Sequence, residues 1–168
     1  MIRMGLDGST KCSGWCIFDD DKLLYHGKII ADKNLEWRER VVYMMNQIAI
    51  LIKEYKVEEL CVELPVKTIA NVNTLEQLFS LHGAILGVAS ALHIKFTPVN
   101  VNTWRKELGL LTDIPKDTKD KRSILKERSV NLANELYDLN LVWKSKASKD
   151  NDDDISDAIL IAHTVIHK

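Results

Sequence analysis

Three cysteines in 168 residues, Cys12, Cys16 and Cys61, are too few and too odd in number to frame a disulfide-stapled fold. Cys12 and Cys16 stand four apart, but no second Cys or His pair near them completes a zinc site. Reduced, structural thiols are expected. Long apolar runs are also missing, so no stretch is suited to span a bilayer. Arg3, Asp7 and Lys11 interrupt the first residues, where a cleavable leader would be apolar. Together these shortages predict a cytoplasmic protein with no membrane segment. A global basic excess is absent too, since the formal net charge is −1. No repeat, low-complexity tract or linker divides the chain. Residues 1–168 therefore read as one domain with a sizeable core.

What the chain does have is charge segregated locally. Between Val101 and Lys149 there are eleven Lys and Arg against seven Asp and Glu. Five Asp and no base then follow from Asp150 to Asp157. A basic segment runs straight into an acidic one.

The apolar pattern predicts the order β-β-β-α-β-α-β-α-α-α. Ile2 to Leu6, "SGWCIFDD" and "LLYHGKII" alternate as strands of an antiparallel meander. Val41, Met45, Ile48, Ile52 and Tyr55 recur at helical spacing, giving a helix from about Leu35 to Tyr55. "VEELCVELP" reads as a strand ended by Pro65. The next helix carries a stripe of Leu75, Leu78, Phe79, His82, Leu86 and Ala89, with Asn73 or Thr74 as N-cap. "IKFTPVN" is a fifth strand, and "TWRKELGL" a short helix closed by Gly109. Two further helices end the chain, the last acidic at its start, with Ile155, Ile159, Ala162 and Ile166 as its apolar face. Hairpins followed by alternating strand and helix predict an α/β fold, a five-stranded mixed β-sheet flanked by α-helices.

Acidic residues sit where a strand disfavours them. Asp7 ends the first strand, immediately before Gly8-Ser9-Thr10. In "LCVELP" alternation turns Glu63 to the face opposite Val62. Asp154 and Asp157 lie three apart, on one face of the last helix. Each has a bland role: turn former, exposed strand end, complement to a helix dipole. If the first and fourth strands pair, however, Asp7 and Glu63 become neighbours, and the acidic helix start can close the site. Carboxylates gathered in one pocket need counter-charge. Hard divalent cations supply it, and two of them, roughly 4 Å apart, suit phosphodiester hydrolysis.

The opening "LDGSTKCSGW", the Glu in a strand ending "VEL" and the closing "DDDISDAILIAH" resemble the RuvC-type Holliday-junction resolvases, ribonuclease-H-like nucleases, in a bacteriophage-like form. The resemblance runs over nearly the whole chain. It implies that Asp7, Glu63, Asp154 and Asp157 bind metal and carry catalysis, with Mg²⁺ as cofactor, two ions per site, and Mn²⁺ able to substitute. Asp157 has its register set by Ala158 and the apolar helix after it. Its companion is open within Asp152-Asp153-Asp154: i,i+3 spacing favours Asp154, Asp153 is the alternative, and Asp150 stands behind them. The resemblance also implies a homodimer, joined through the Leu75 to Leu92 helix, acting on four-way junctions, forks and other branched DNA.

Phosphate contacts are expected from Lys67, Arg105, Lys106, Lys116, Lys119, Lys121 and Arg122. Cellular members of the family carry an aromatic residue just after the strand Glu. This chain has Pro65, Val66 and Ile69 in that region, which predicts selection by DNA structure over sequence. Three rival readings remain: a ribonuclease H acting on RNA–DNA hybrids, an actin-like or sugar-kinase-type nucleotide-binding domain, and a DNA-binding module without catalysis. The nucleotide-binding reading asks for a second lobe, for which 168 residues leave no room.

Overall fold

Period-two alternation decides what each strand offers to the two sides of the sheet. The computed structural model describes residues 1–65, 71–115 and 117–168. Lys67, Lys116, Val66 and Ile69 lie outside the described residues. The strands are β1 (Ile2–Asp7), β2 (Cys12–Asp19), β3 (Lys22–Ile30), β4 (Glu59–Glu63) and β5 (Lys95–Val99). They form one sheet in the order β3-β2-β1-β4-β5. β1, β2 and β3 pair antiparallel, while β1–β4 and β4–β5 pair parallel.

The even-numbered positions of β1 and β4, Met4, Leu6, Leu60 and Val62, face α1 (Trp37–Tyr55) and α2 (Val72–Ala91). Met44, Ile48 and Ile52 of α1 and Leu81, Ile85 and Ala89 of α2 complete that core. On the other face, Cys16, Phe18, Cys61 and Val99 pack with α3 (Val101–Glu107), α4 (Lys121–Tyr137) and α5 (Asp153–Ile166). The result is an α/β/α sandwich, which is the predicted fold class. The cysteines are free, with Cys16 and Cys61 buried and Cys12 half-buried.

Three local expectations need correction. α2 begins earlier than its apolar stripe suggested: Asn71, not Asn73 or Thr74, is the cap, and its side chain accepts from both of their backbone N–H groups. Phe79 and Leu86 of the expected stripe are exposed, and Leu81 and Ile85 are buried in their place. α2 is apolar around most of its circumference, so spacing alone does not select the core face. α5 has no single apolar face, because every residue from Ile155 to Ala162 is buried. It lies between the sheet and α4, and both of its sides are covered.

Glycine makes that close approach possible. A Cβ on Gly5 would stand 2.2 Å from the Ala158 carbonyl oxygen, and one on Gly14 only 1.9 Å from that of Asp154. β1 and β2 thus offer α5 a floor without side chains. At the opposite end of the strands, buried Glu59 accepts from Arg3 (2.8 Å) and Thr97 (2.6 Å) and pairs with Lys95 (2.8 Å). Burial pushes its carboxyl up, but the bonds from Lys95, Thr97 and Arg3 prevail and hold it at about 2.

Candidate active site

Alternation that sends Met4 and Leu6 to one face sends Gly5 and Asp7 to the other, toward α5. The same parity sends Cys61 and Glu63 there from β4. Because β1 and β4 run parallel with Leu6 beside Val62, the next step of the register sets Asp7 beside Glu63. α5 contributes Asp154 and Asp157 from its first turns, seated over Gly14 of β2. All four carboxylates line one cavity of about 760 Å³. Leu78, Leu81, His82 and Ile85 of α2 form its apolar wall.

Burial, followed by the charges of Asp157, Glu63 and Asp154, raises the Asp7 carboxyl well above the usual carboxylate range. Burial also raises Glu63 and Asp157, with Arg105 working against it in both. Asp7 and Glu63 therefore contrast with Glu59, which faces the same side of the sheet at its other end. Glu59 is answered by hydrogen bonds and cations that pull its carboxyl down, whereas burial and the neighbouring acids prevail at Asp7 and Glu63.

The side chains that do answer the acids come from α3 and α4. Trp104 donates its indole N–H to Glu63 Oε2 at 2.7 Å. Arg105 reaches Asp157 Oδ2 at 3.3 Å while its guanidinium lies 4.9 Å from the Trp104 ring centroid. Ser129 donates to Asp157 Oδ1 and stands 3.0 Å from the Ser156 hydroxyl. Lys126 lines the cavity and pairs with Asp153. That pairing separates the candidates in the acidic run: Asp153 is turned to Lys126, Asp154 lines the cavity, and Asp152 pairs with Lys28 at 2.9 Å. Asp150 is exposed and pairs with Lys144 at 2.7 Å, away from the cavity.

Of the residues expected to contact phosphate, Arg105, Lys121 and Arg122 line the cavity. Lys106 and Lys119 are exposed and do not line it. Arg105, expected as a phosphate contact, is paired with Asp157. Lys126, Ser129 and Trp104 are not among the site residues expected from the sequence. Lys126 and Ser129 sit three apart on α4, a spacing visible in the sequence but without meaning until α4 is known to cross α5. Cys12 also lines the cavity. Burial and the neighbouring Asp154 push its thiol up to about 12, so it is protonated at neutral pH.

The donor set is four carboxylates, with Asp7 raised by burial and by the other three acids. A cluster of carboxylate oxygens fits a hard divalent cation such as Mg²⁺. Among the described residues no three such groups are already closed into a metal-ligating cluster. Glu63 and Asp157 are instead turned to Trp104, Arg105 and Ser129.

No protein-family model matches the chain, and no curated protein does. Solved structures do. Thermus thermophilus RuvC in complex with a Holliday junction substrate aligns with a TM-score of 0.72 at 13% identity, over 99% of this chain and 94% of that one. Fowlpox virus resolvase in complex with substrate Holliday junction DNA aligns at 0.60 and 14% identity, over 99% and 97%. The yeast mitochondrial Holliday junction resolvase Ydc2 aligns at 0.60 and 14% identity, over 98% and 77%. At such identities the likeness establishes a shared fold, the ribonuclease-H-like sandwich of these resolvases.

Proposed function

We propose that residues 1–168 form a single nuclease domain, a metal-dependent, structure-selective endonuclease that hydrolyses Holliday junctions and other branched DNA. The observation that carries this reading is the convergence of Asp7, Glu63, Asp154 and Asp157 on one cavity rimmed by Arg105, Lys121, Arg122 and Lys126. Acids to hold cations and bases to hold phosphate meet in one place. The neighbours' complexes with junction DNA support the substrate class.

In this mechanism Asp7, Glu63, Asp154 and Asp157 would hold Mg²⁺, two ions per site, with Mn²⁺ able to substitute. Bound there, the metal would supply Lewis-acid polarisation and acidify a water, and the products expected of the hydrolysis are a 5′-phosphate and a 3′-hydroxyl. The protein's own part is positioning. Trp104 and Ser129 orient Glu63 and Asp157. Lys121 and Arg122, at the start of α4, attract the DNA backbone without reading sequence. Arg105 and Lys126 offset the acids and hold the scissile phosphate near them. Lys67, Lys106, Lys116 and Lys119 extend the phosphate track beyond the cavity. Such an enzyme serves recombination, repair or phage DNA processing in the cytoplasm of a bacterium or infected host. Among the described residues no helix is long and apolar enough to cross a membrane.

Side-by-side incubation with Mg²⁺ and four-way, forked, linear duplex and RNA–DNA hybrid substrates tests the proposal. Four-way and forked DNA are cut, and duplex and hybrid are spared. Hybrid cut in preference to junctions makes the protein a ribonuclease H and overturns the reading. Leu64 and Pro65, which line the cavity just after Glu63, offer no aromatic ring to stack on bases, so junctions of different sequence are expected to be cut at similar rates.

A homodimer puts two equivalent sites on a two-fold junction. Val72, Phe79 and Leu86 of α2 are 75%, 47% and 47% exposed. Gly83 and Gly87 share their side of the helix, and a Cβ at either would meet nothing within 4 Å. Such a face lets two copies of α2 approach closely. Leu86→Arg is therefore expected to convert a dimer to a folded monomer in sedimentation velocity. A wild-type protein that sediments as a monomer at every concentration removes this part of the proposal.

A further inference from the structure

We infer that Trp104 is a positioning residue of the acidic site, its indole N–H fixing the Glu63 carboxylate and so setting how tightly the cluster holds a divalent cation. The inference rests on the reading that these carboxylates bind metal.

The chain builds this contact from the backbone outward. Glu63 ends β4 in register with Val99 of β5, and the Leu64 N–H donates to the Val99 carbonyl at 2.8 Å. Asn100 follows at once and caps α3, accepting from the Asn102 N–H at 2.9 Å. Trp104 thus lies one turn into a helix whose start is tied to the residue after Glu63. Its ring is 0% exposed and packs with Val99, Val101, Leu125 and Ile161. A packed ring has little freedom to rotate, so the direction of its N–H is set by the core.

The chemistry of the bond is one-sided. An indole has one donor and no acceptor, so Glu63 must be the acceptor. The donor is neutral, unlike Arg105, and it steers the carboxylate without cancelling the charge a cation needs. The bond engages Oε2 and leaves the other oxygen uncommitted by it. Partners that hold a ligand's orientation in this way commonly change metal affinity by about 10–100-fold when removed. In the sequence, Trp104 looks like an ordinary core residue beside a basic one. Only the bond to Glu63 singles it out.

The test measures Mn²⁺ binding directly, by the loss of the free-ion electron paramagnetic resonance signal, for three proteins. These are the wild type, Trp104→Phe, and a protein with 3-benzothienylalanine at position 104, which keeps the bicyclic shape and lacks the N–H. Both variants are expected to bind Mn²⁺ about 10-fold or more weakly, and saturating Mn²⁺ is expected to restore most junction cleavage. If Trp104→Phe fails to fold, the isosteric protein decides alone. Wild-type affinity in the isosteric protein overturns the inference and leaves the nuclease reading intact. A wild-type protein that neither binds Mn²⁺ nor cuts junctions overturns that reading, and the inference with it.

Discussion

Asp7→Asn protein is expected to bind a four-way junction as wild type does and to cleave it on the order of 10³-fold more slowly in Mg²⁺, the scale of losing one preorganised group from a charged site. The substitution keeps the shape of the side chain and leaves Lys121, Arg122 and Lys126 in place, so binding and cleavage separate. Gel-shift and nicking assays on one substrate measure the two. Normal nicking by the variant removes Asp7 from the chemistry. A second consequence concerns stability in EDTA. The folded-state Asp7 carboxyl is raised above its unfolded value. A group so shifted adds stability below its unfolded pKa and loses that contribution as pH rises through the folded value. At neutral pH, above the unfolded value, Asp7 is therefore a burden on the metal-free protein, and asparagine relieves it. Metal-free Asp7→Asn melts above wild type at pH 7–8, and the gap narrows as the buffer is brought toward pH 4. Glu63 and Asp157 are shifted in the same direction, so the wild type itself gains stability on mild acidification. Glu59 opposes this from about pH 4.5 downward, losing its contribution progressively until its folded carboxyl titrates at about 2.

Gly14→Ala is expected to be the most damaging single methyl in the molecule. The added Cβ would stand 1.9 Å from the Asp154 carbonyl oxygen, 2.2 Å from its carbonyl carbon and 2.7 Å from the Ile155 nitrogen. These are backbone atoms of a buried helix, and no flexible side chain can give way. Overpacking commonly costs about 1–3 kcal/mol, and a backbone clash belongs at or beyond the top of that range. For a domain of this size about 3 kcal/mol lowers Tm by roughly 6–12 °C. Any relief must lift the start of α5, which carries Asp154 and Asp157 away from Asp7 and Glu63. Protein that stays folded below its lowered Tm should then cleave poorly even with saturating metal. Equal melting of Gly14→Ala and wild type would falsify the close-packing account.

Much of this was legible in the sequence because it depends on period and order. Alternation in "LCVELP" aimed Glu63 away from Val62, and one parallel pairing made Asp7 its neighbour. The three antiparallel strands and the helices after them follow from apolar spacing. What escaped reading depends on which surfaces touch. Phe79 and Leu81 are equally apolar, and packing against α1 and the sheet decides that one is exposed and the other buried. Arg105 looked like any basic residue in a charged segment until α3 was set against α5, where it meets Asp157. The acidic run illustrates both cases. Helical spacing favoured Asp154 over Asp153, but the partner that draws Asp153 aside, Lys126, is remote in sequence and was not foreseen.

α5 also imposes a schedule on the molecule. It follows all the other described elements in the sequence, yet its residues fill the space between the first strands and α4. The meander of β1, β2 and β3 can form from contacts close in sequence, whereas Asp157 must find Asp7 across almost the entire chain. Until residue 166 or so has been synthesised, Cys16, Phe18 and Cys61 lack the part of their cover that α5 provides, and Asp154 and Asp157 lack the helix that places them. During translation, therefore, the face of the sheet that α5 seals stays open for longest, and the four acids of the proposed site come together only in that same late step.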